Sequence, residues 1–173
     1  MNRVELEHFM ESYGGDILSF CKYVTKNNEE AEELCQDTFV KGYELMGEIE
    51  DEAHAKRYFL SVAVQLWKNR KRKYAWRNRI LQEQVIPKSR QELETTGSVV
   101  NPEEEAIRKE QRELVRSCVN RLSEKKRLVI LLYYAEGLKE KEIAAVLKLP
   151  VGTVKSRLHQ GKADLEGMLS KEL

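Results

Sequence analysis

The sequence has 173 residues, of which 34% are charged and 41% hydrophobic, a composition typical of one medium-sized domain or two small ones that fold in water. Its longest strongly apolar run covers residues 128–135, far short of the ~20 residues of a membrane-spanning helix, and residues 1–7 lack the apolar core of a secretion signal. The net charge of +1 hides an asymmetry: residues 26–54 carry ten acidic side chains against two basic ones, whereas residues 66–80 carry seven basic side chains and no acidic one.

Helical periodicity predicts four helices in the N-terminal part of the chain, at about residues 4–12, 15–26, 28–47 and 53–78. The third helix is acidic, and its segment 31–44 mixes apolar with polar side chains, namely Leu34, Gln36, Asp37, Phe39 and Tyr43. Taken alone, this pattern is also that of a solvated acidic helix, so it assigns no partner.

The fourth predicted helix changes from apolar to basic along its length. Three aromatic residues, Trp67, Tyr74 and Trp76, lie among or beside its lysines and arginines. Aromatic rings stack on unpaired bases while cations hold the backbone, so the segment predicts binding to single-stranded nucleic acid. A solvated basic helix end has the same composition and is the competing interpretation.

Residues 84–102 differ in composition from the helical segments around them. They include Pro, Ser, Thr and Gly and show little helical periodicity. A second helical block then runs from about 103 to 171, and no strand alternation is visible. We therefore predict an all-α chain of two small helical domains, residues 1–80 and 105–173, joined by a flexible linker, residues 81–104.

The C-terminal block contains the helix start and stop signals expected of a helix-turn-helix. Ser123 is a capping residue type before a helix that begins at Glu124, and Gly137 suits the left-handed position after its end. A short helix follows at about 139–147, and Pro150 favours the first turn of a last helix that runs to about Leu169. Two helices joined by a short turn, the second one basic at its start, predict a DNA-binding helix-turn-helix.

The last helix separates into two faces. An inward apolar stripe steps by four and three residues through Val154, Leu158, Gly161, Leu165 and Met168. The other face presents Gly152, Lys155, Ser156, His159, Gln160 and Lys162, and residues 151–163 contain no acid. A recognition helix needs hydrogen-bond donors that reach the base edges, and it must not place an acidic side chain beside the phosphates. An ordinary amphipathic helix with a solvated basic face is the alternative. For Gly152, close packing on DNA or on the first helix of the motif explains the glycine.

Catalytic and metal-binding patterns are missing from the sequence. Cys21, Cys35 and Cys118 are widely spaced at apolar-patterned positions without a CxxC or Cys-His pair, which indicates small buried thiols, with zinc ligation or redox sensing as the alternative. The sequence has no Gly-rich phosphate loop, and its three histidines are isolated. We therefore expect no enzymatic activity, no cofactor, no metal and no small-molecule substrate.

Two segments of the C-terminal block, LSEKKRLVILLYYAEGLKEKEIAAVL and LPVGTVKSRLHQGKADL, closely resemble the promoter-recognition domain of extracytoplasmic-function (ECF) sigma factors of the sigma-70 family. Residues 150–158, Pro-Val-Gly-Thr-Val-Lys-Ser-Arg-Leu, are the most specific part of this resemblance. The acidic and basic N-terminal helices resemble the family's polymerase-binding and promoter-opening segments. The resemblance implies an alternative sigma factor that binds core RNA polymerase and directs promoter-specific initiation.

The resemblance also implies the roles of individual residues. Contacts with core polymerase fall on Leu34, Gln36, Asp37, Phe39 and Val40. Contacts with the downstream (−10) element and its melted non-template strand fall on Ile49, Gln65, Trp67, Asn69, Arg70, Arg72 and Lys73, with a flipped base held between the loop at about 47–54 and the basic helix. Contacts with the duplex upstream (−35) element fall on Gly152, Thr153, Lys155, Ser156, Arg157, His159, Gln160 and Lys162. Lys155 and Gln160 suit base edges, and Arg157 and Lys162 suit phosphates.

The sequence departs from the family pattern at three positions and in one loop. Lys139 stands where the family usually has a Ser or Thr cap, a loss of about 1 kcal/mol. Gln160 stands where the family frequently has Arg, and Gln65 where it commonly has Asn. The loop at about residues 47–54 is also more acidic than is usual in the family. We therefore expect the preferred sequences of both promoter elements to differ from those of the family. The family further implies a cytoplasmic protein with a dedicated anti-sigma partner, often membrane-anchored.

Two other functions compete with this interpretation. A conventional helix-turn-helix regulator would bind duplex DNA alone as a dimer, but it would need neither the aromatic-basic segment nor the acidic helix. A structural adaptor without nucleic acid is disfavoured by the acid-free face of the last helix.

Overall fold

The computed structural model describes residues 3–44, 49, 51–81 and 102–172. These residues form seven α-helices and contain no strand, which confirms the all-α prediction. The helices are α1 (Arg3–Thr25), α2 (Asn28–Glu44), α3 (Glu52–Leu81), α4 (Pro102–Arg121), α5 (Glu124–Ile130), α6 (Glu140–Leu147) and α7 (Val151–Glu172), and α5 continues as a π-helical turn, Leu131–Ala135.

The chain divides into two compact units, Met1–Leu93 and Glu94–Leu173. Most of the predicted linker, residues 82–101, lies outside the described residues. The predicted boundaries of 81 and 104 overlap the helices, because α3 includes Leu81 and α4 already begins at Pro102.

The N-terminal unit packs α1, α2 and α3 around an aromatic centre. Phe59 of α3 is fully buried, and its ring stacks on Phe9 of α1 with ring centroids 4.8 Å apart. Phe39 of α2 packs against the same ring at 5.2 Å. Gly42 of α2 lies directly beneath it, and a Cβ atom at this position would overlap three carbons of the Phe59 ring. The glycine is therefore required by the close approach of α2 to α3.

The first helix corrects one sequence prediction. We expected separate helices at 4–12 and 15–26, but α1 runs without a break through Gly14 and Gly15. Each glycine costs a helix interior about 1 kcal/mol relative to alanine. Phe9 and Ile17, on either side of the pair, are both buried in the core, and this packing outweighs the local cost.

The turn between α1 and α2 is short and capped. Lys26 adopts a left-handed conformation with φ of 57°. The side-chain carbonyl of Asn27 accepts a hydrogen bond from the backbone N–H of Glu30 at 3.0 Å, which caps the start of α2. The two helices therefore form a tight hairpin that places the acidic helix against α1.

The C-terminal unit packs α5, α6 and α7 around Leu132, Ile143 and Val154, all at most 2% exposed, and the last turn of α4 joins this core. Gly137 has φ of +68°, as its left-handed position predicts. Ser123 precedes α5 in an extended conformation, but its side chain makes no capping hydrogen bond. Instead its backbone carbonyl accepts from the N–H of Arg127 at 2.8 Å.

Gly161 fixes how α7 packs on α5. A Cβ atom here would lie 2.8 Å from Cγ1 of Ile130, closer than side chains pack. The carbonyl of Pro150 accepts hydrogen bonds from the N–H groups of Thr153 and Val154. Pro150 thus lies immediately before α7, one residue earlier than the predicted place in its first turn. The helix ends at Glu172, three residues beyond the predicted Leu169.

All three cysteines are buried. Cys21 of α1 and Cys35 of α2 are neighbours, and a hydrogen bond from Cys21 lowers the pKa of the Cys35 thiol against the opposing effect of burial. No helix in the described part of the chain is long and apolar enough to cross a membrane. Within the same residues, no cluster of three or more His, Cys, Asp or Glu side chains is arranged to hold a metal ion.

Candidate nucleic-acid interface

The two faces of α7 follow the sequence prediction as far as Gly161, whereas Leu165 and Met168 of the predicted inward stripe are only partly buried. Val154 and Leu158 are 0% and 6% exposed, and Gly161 is buried with them. Five of the predicted DNA-contacting positions are exposed on the opposite side, namely Gly152, Lys155, Ser156, His159 and Gln160. The other three, Thr153, Arg157 and Lys162, lie at the margins and are partly exposed. Over residues 151–163 the helix therefore presents a continuous polar surface without an acidic side chain.

Gly152 stands in open space, since no atom lies within 4 Å of where its Cβ would be. Packing against the first helix of the motif is therefore not the reason for this glycine, and that part of the sequence interpretation is wrong. The other explanation, close packing on DNA, stands: without a side chain at Gly152, the first turn of α7 exposes its unpaired backbone N–H groups. A phosphate can approach such a surface closely.

The donors on the outward face are only lightly engaged within the protein. The ammonium of Lys155 lies 3.8 Å from a carboxylate oxygen of Glu140 on α6, near the outer limit of an ion pair. The amide nitrogen of Gln160 is 3.5 Å from Oγ of Ser156. Exposed contacts of this length contribute little, so both side chains can turn towards a ligand at small cost.

Lys162 has a surrounding that sequence reasoning missed. Its ammonium lies 5.6 Å from the ring centroids of both Tyr133 and Tyr134, which the π-helical turn brings to α7. A hydrogen bond with Tyr134 raises the pKa of Lys162. The aromatic pair thus orders this cation at the margin of the outward face. The adjacent tyrosines were visible in the sequence, but their pairing with α7 depends on the tertiary fold.

The start of α6 retains half of a capping box. Lys139 has no side-chain acceptor for the orphan N–H groups, as predicted. The carboxylate of Glu142, three residues later, accepts a hydrogen bond from the backbone N–H of Lys139 at 2.8 Å. This reciprocal contact offsets part of the expected loss of about 1 kcal/mol.

On the acidic helix α2, the predicted polymerase-binding residues differ in accessibility. Gln36 and Asp37 are exposed, and the apolar side chain of Val40 is 62% exposed. Phe39 is partly buried through its contact with Phe59. Leu34 is 0% exposed, so its side chain belongs to the core and offers no surface to a partner. The accessible part of the prediction is therefore Gln36, Asp37 and Val40.

The basic helix α3 shows a similar division. Gln65, Asn69, Arg72 and Lys73 are exposed, and Arg70 is partly exposed. Trp67 is only 7% exposed, and the ammonium of Lys71 lies 4.7 Å above its ring. Its side chain therefore packs in the N-terminal unit, which removes the support for base stacking by Trp67.

Of the loop at 47–54, Ile49 is buried at 6% exposure, and residues 47, 48 and 50 lie outside the described residues. Asp51 is exposed, and its carboxylate accepts a hydrogen bond from the N–H of His54 at 2.6 Å. This contact caps the start of α3. One of the loop's acidic side chains thus has a local structural role.

Arg70 connects the two N-terminal surfaces that the sequence analysis treated separately. Its guanidinium forms an ion pair with Asp37 of α2 at 2.5 Å and lies 3.7 Å from Glu33. The side chains of Arg70, Asp37 and Glu33 are 35%, 56% and 66% exposed. A predicted DNA contact and a predicted polymerase contact are therefore partners of one another.

Both units of the chain match models of known protein families. The model for Sigma-70 region 2 matches residues 9–77, and the model for Sigma-70, region 4 matches residues 112–165. The chain is 26% identical over 162 residues to the ECF RNA polymerase sigma factor SigW of Bacillus subtilis, covering 92% of this chain and 86% of that protein. It is 27% identical over 137 residues to the ECF RNA polymerase sigma-E factor of Escherichia coli strain K12, covering 78% and 71%.

Two solved structures share the fold. The sigma factor RpoE of Bartonella quintana, crystallised with the anti-sigma factor NepR, matches with a TM-score of 0.78 at 19% identity, covering 96% of this chain and 97% of that one. CnrH, solved with the cytosolic domain of CnrY, matches with a TM-score of 0.62 at 20% identity, covering 99% and 92%.

Proposed function

The chain belongs to the sigma-70 family, among its ECF members, and from this premise we propose how its surfaces select a promoter for core RNA polymerase. It is an alternative sigma factor that directs promoter-specific initiation of transcription. We assign the binding of core polymerase and melted DNA to the N-terminal unit, and the binding of duplex DNA to the C-terminal unit.

The observation that carries the proposal is the acid-free outward face of α7 at the second position of a helix-turn-helix. Lys155 and Gln160 reach base edges, where Lys suits guanine and Gln suits adenine. Arg157 and Lys162 lie at the margins and bind phosphates, which positions the helix in the major groove. A regulator that binds DNA as a dimer would explain this face but not the acidic helix of the other unit.

In the N-terminal unit, we assign the docking of core polymerase to Gln36, Asp37 and Val40 on α2, with Phe39 behind them. An acidic surface beside the exposed apolar side chain of Val40 suits a basic helical partner, because charge steers the encounter and apolar contact holds it. The exposed polar and basic residues of α3 then contact the opened strand, namely Gln65, Asn69, Arg70, Arg72 and Lys73.

The remaining assignments follow from the family. Promoter opening requires no covalent chemistry from this chain, because the binding of flipped bases offsets the cost of unstacking them, a few kcal/mol. We therefore propose a non-enzymatic, cytoplasmic subunit whose linker, between Leu81 and Pro102, lets the two units engage separate promoter elements. The similar sigma factor RpoE of Bartonella quintana was solved with the anti-sigma factor NepR, and we propose an anti-sigma partner for this chain as well.

The polymerase assignment is best tested at Val40, because Asp37 is engaged with Arg70 and its reversal would disturb two surfaces. We expect Val40→Arg to weaken binding to core polymerase about tenfold or more, since it places a cation against a basic partner. The measurement is a competition assay with labelled full-length protein. Val4→Arg is the matched control, because Val4 is an exposed valine on α1 of the same unit. Equal affinities for the two variants would contradict the assignment.

The promoter assignment separates Gln160 from Lys162. In transcription by reconstituted holoenzyme from a promoter library, we expect Gln160→Ala to relax preference at one base pair of the upstream element by about 1–3 kcal/mol. Lys162→Ala should weaken all promoters alike and reduce the salt dependence by about one unit. If both variants kept the wild-type preference and promoter strength, α7 would not be the recognition helix.

A further inference from the structure

One side chain of the basic helix α3 is bound to the acidic helix α2. Nη2 of Arg70 donates a hydrogen bond to Oδ2 of Asp37 at 2.5 Å, and Nη1 lies 3.7 Å from Oε2 of Glu33. The side chain of Arg70 is only 35% exposed, so water and salt screen these two pairs less than they screen pairs on the open surface. The guanidinium therefore bridges two carboxylates of the neighbouring helix.

The two bridged carboxylates lie beside the polymerase-docking residues. Glu33, Asp37 and Val40 are separated by four and three residues along α2, so their side chains share one side of the helix. All three residues are exposed. Asp37 and Val40 belong to the docking surface proposed above, and Val40 is 62% exposed with Arg70 in place. Arg70 thus adjoins this surface without covering its apolar side chain.

A cation between Glu33 and Asp37 changes what α2 offers to a partner. Like charges four residues apart on a helix repel each other, and acidic side chains that nothing holds sample several rotamers. Arg70 contacts one oxygen of each carboxylate, whereas a carboxylate has two oxygens and about four lone pairs. The other acceptor sites are therefore held in place for the cations of a partner, and less side-chain freedom is lost when that partner binds.

We propose that Arg70 is a positioning residue of the polymerase-docking surface, where its guanidinium holds Asp37 and Glu33 in place for basic side chains of core polymerase. The inference rests on the proposed function, because it requires that α2 docks on a basic helical partner. It adds Glu33 to the docking surface, and it gives Arg70 a role besides the strand contact assigned above. Core binding measured without DNA isolates this second role.

The sign of the effect distinguishes positioning from the mere presence of a charge. A cation beside a basic partner is repelled, so its removal alone would strengthen docking. We expect Arg70→Ala to do the opposite and to weaken binding to core polymerase about threefold, the range of partly exposed ion pairs. The measurement is competition with labelled full-length protein in the absence of DNA. Arg72→Ala is the matched control and should not weaken binding, because it removes the same charge from α3 while Arg72 bonds Asn69 of its own helix.

A double-mutant cycle tests whether Arg70 acts through the two carboxylates. In a protein that carries both Glu33→Gln and Asp37→Asn, the further change Arg70→Ala should no longer weaken binding, because nothing is left to position. In the otherwise wild-type protein, Arg70→Lys should bind with intermediate affinity, since one ammonium keeps the charge but lacks the planar fork that bridges two carboxylates.

Two results would overturn the inference. One is core affinity of Arg70→Ala equal to or tighter than that of the wild type. The other is the same loss of affinity with and without the carboxylates of Glu33 and Asp37, which would assign Arg70 a direct contact or a purely structural role. A wild-type chain that failed to bind core polymerase would instead refute the proposed function.

Discussion

Replacing Gly42 with alanine is expected to destabilise the N-terminal unit by about 3 kcal/mol, the upper range for an overfilled core. The added methyl group would overlap the ring of Phe59, which is fully buried and stacked on Phe9. The ring cannot move aside without breaking this stacking, so α2 must separate from α3. Both tryptophans, Trp67 and Trp76, lie in α3, and urea denaturation followed by tryptophan fluorescence therefore reports on this unit.

Gly15→Ala is the control for this prediction. Gly15 lies within α1, and no atom is found within 4 Å of where its Cβ would be. Alanine is the better helix former, so this variant should be stabilised by about 0.5–1 kcal/mol. The same glycine-to-alanine change should thus have opposite signs at the two positions. A stabilised Gly42→Ala protein would mean that α2 and α3 do not approach as closely as described.

The second large effect is expected in the C-terminal unit, where Gly161→Val should cost about 2–3 kcal/mol. A Cβ at this position would lie 2.8 Å from Cγ1 and 3.1 Å from Cδ1 of Ile130, and valine adds two further methyl groups. Part of the strain can be relieved by rotation of Ile130, but the backbone of α7 must also move away from α5. We expect impaired use of the upstream element at temperatures where the unit is still folded.

Gly167→Val is the matched control, because Gly167 lies on the same helix with open space around its Cβ position. It should leave both stability and promoter use close to those of the wild type. Hydrogen exchange of the α5 and α7 amides measures the stability of this unit separately from the other one. Equal protection in the two variants would show that α7 tolerates bulk at Gly161.

Much of the fold is predictable from the sequence because helix faces repeat with a fixed period. The stripe of Val154 and Leu158 is buried as predicted, since each apolar residue stands where the helix turns inward. The end of α5 near Gly137 is equally local, because a positive φ favours glycine. The break expected at Gly14 and Gly15 was wrong, since helix propensity is a weak preference that packing overrides.

The candidate site was less predictable wherever its geometry depends on contacts between helices. The composition of α3 indicates a nucleic-acid surface, but it does not distinguish the buried Trp67 from the exposed Trp76. The ion pair of Asp37 with Arg70 joins residues 33 positions apart on two helices, so no local pattern reveals it. The aromatic surroundings of Lys162 are likewise set by the packing of the π-helical turn on α7.

The burial of Cys21, Cys35 and Cys118 makes the chain well suited to thiol-directed labelling. A cysteine introduced at an exposed site such as Glu11 or Lys171 would react with a maleimide dye ahead of the native thiols, which need not be removed. One dye on each unit would form a pair for energy transfer. The separation of the units could then be followed in the free protein, on polymerase and on promoter DNA.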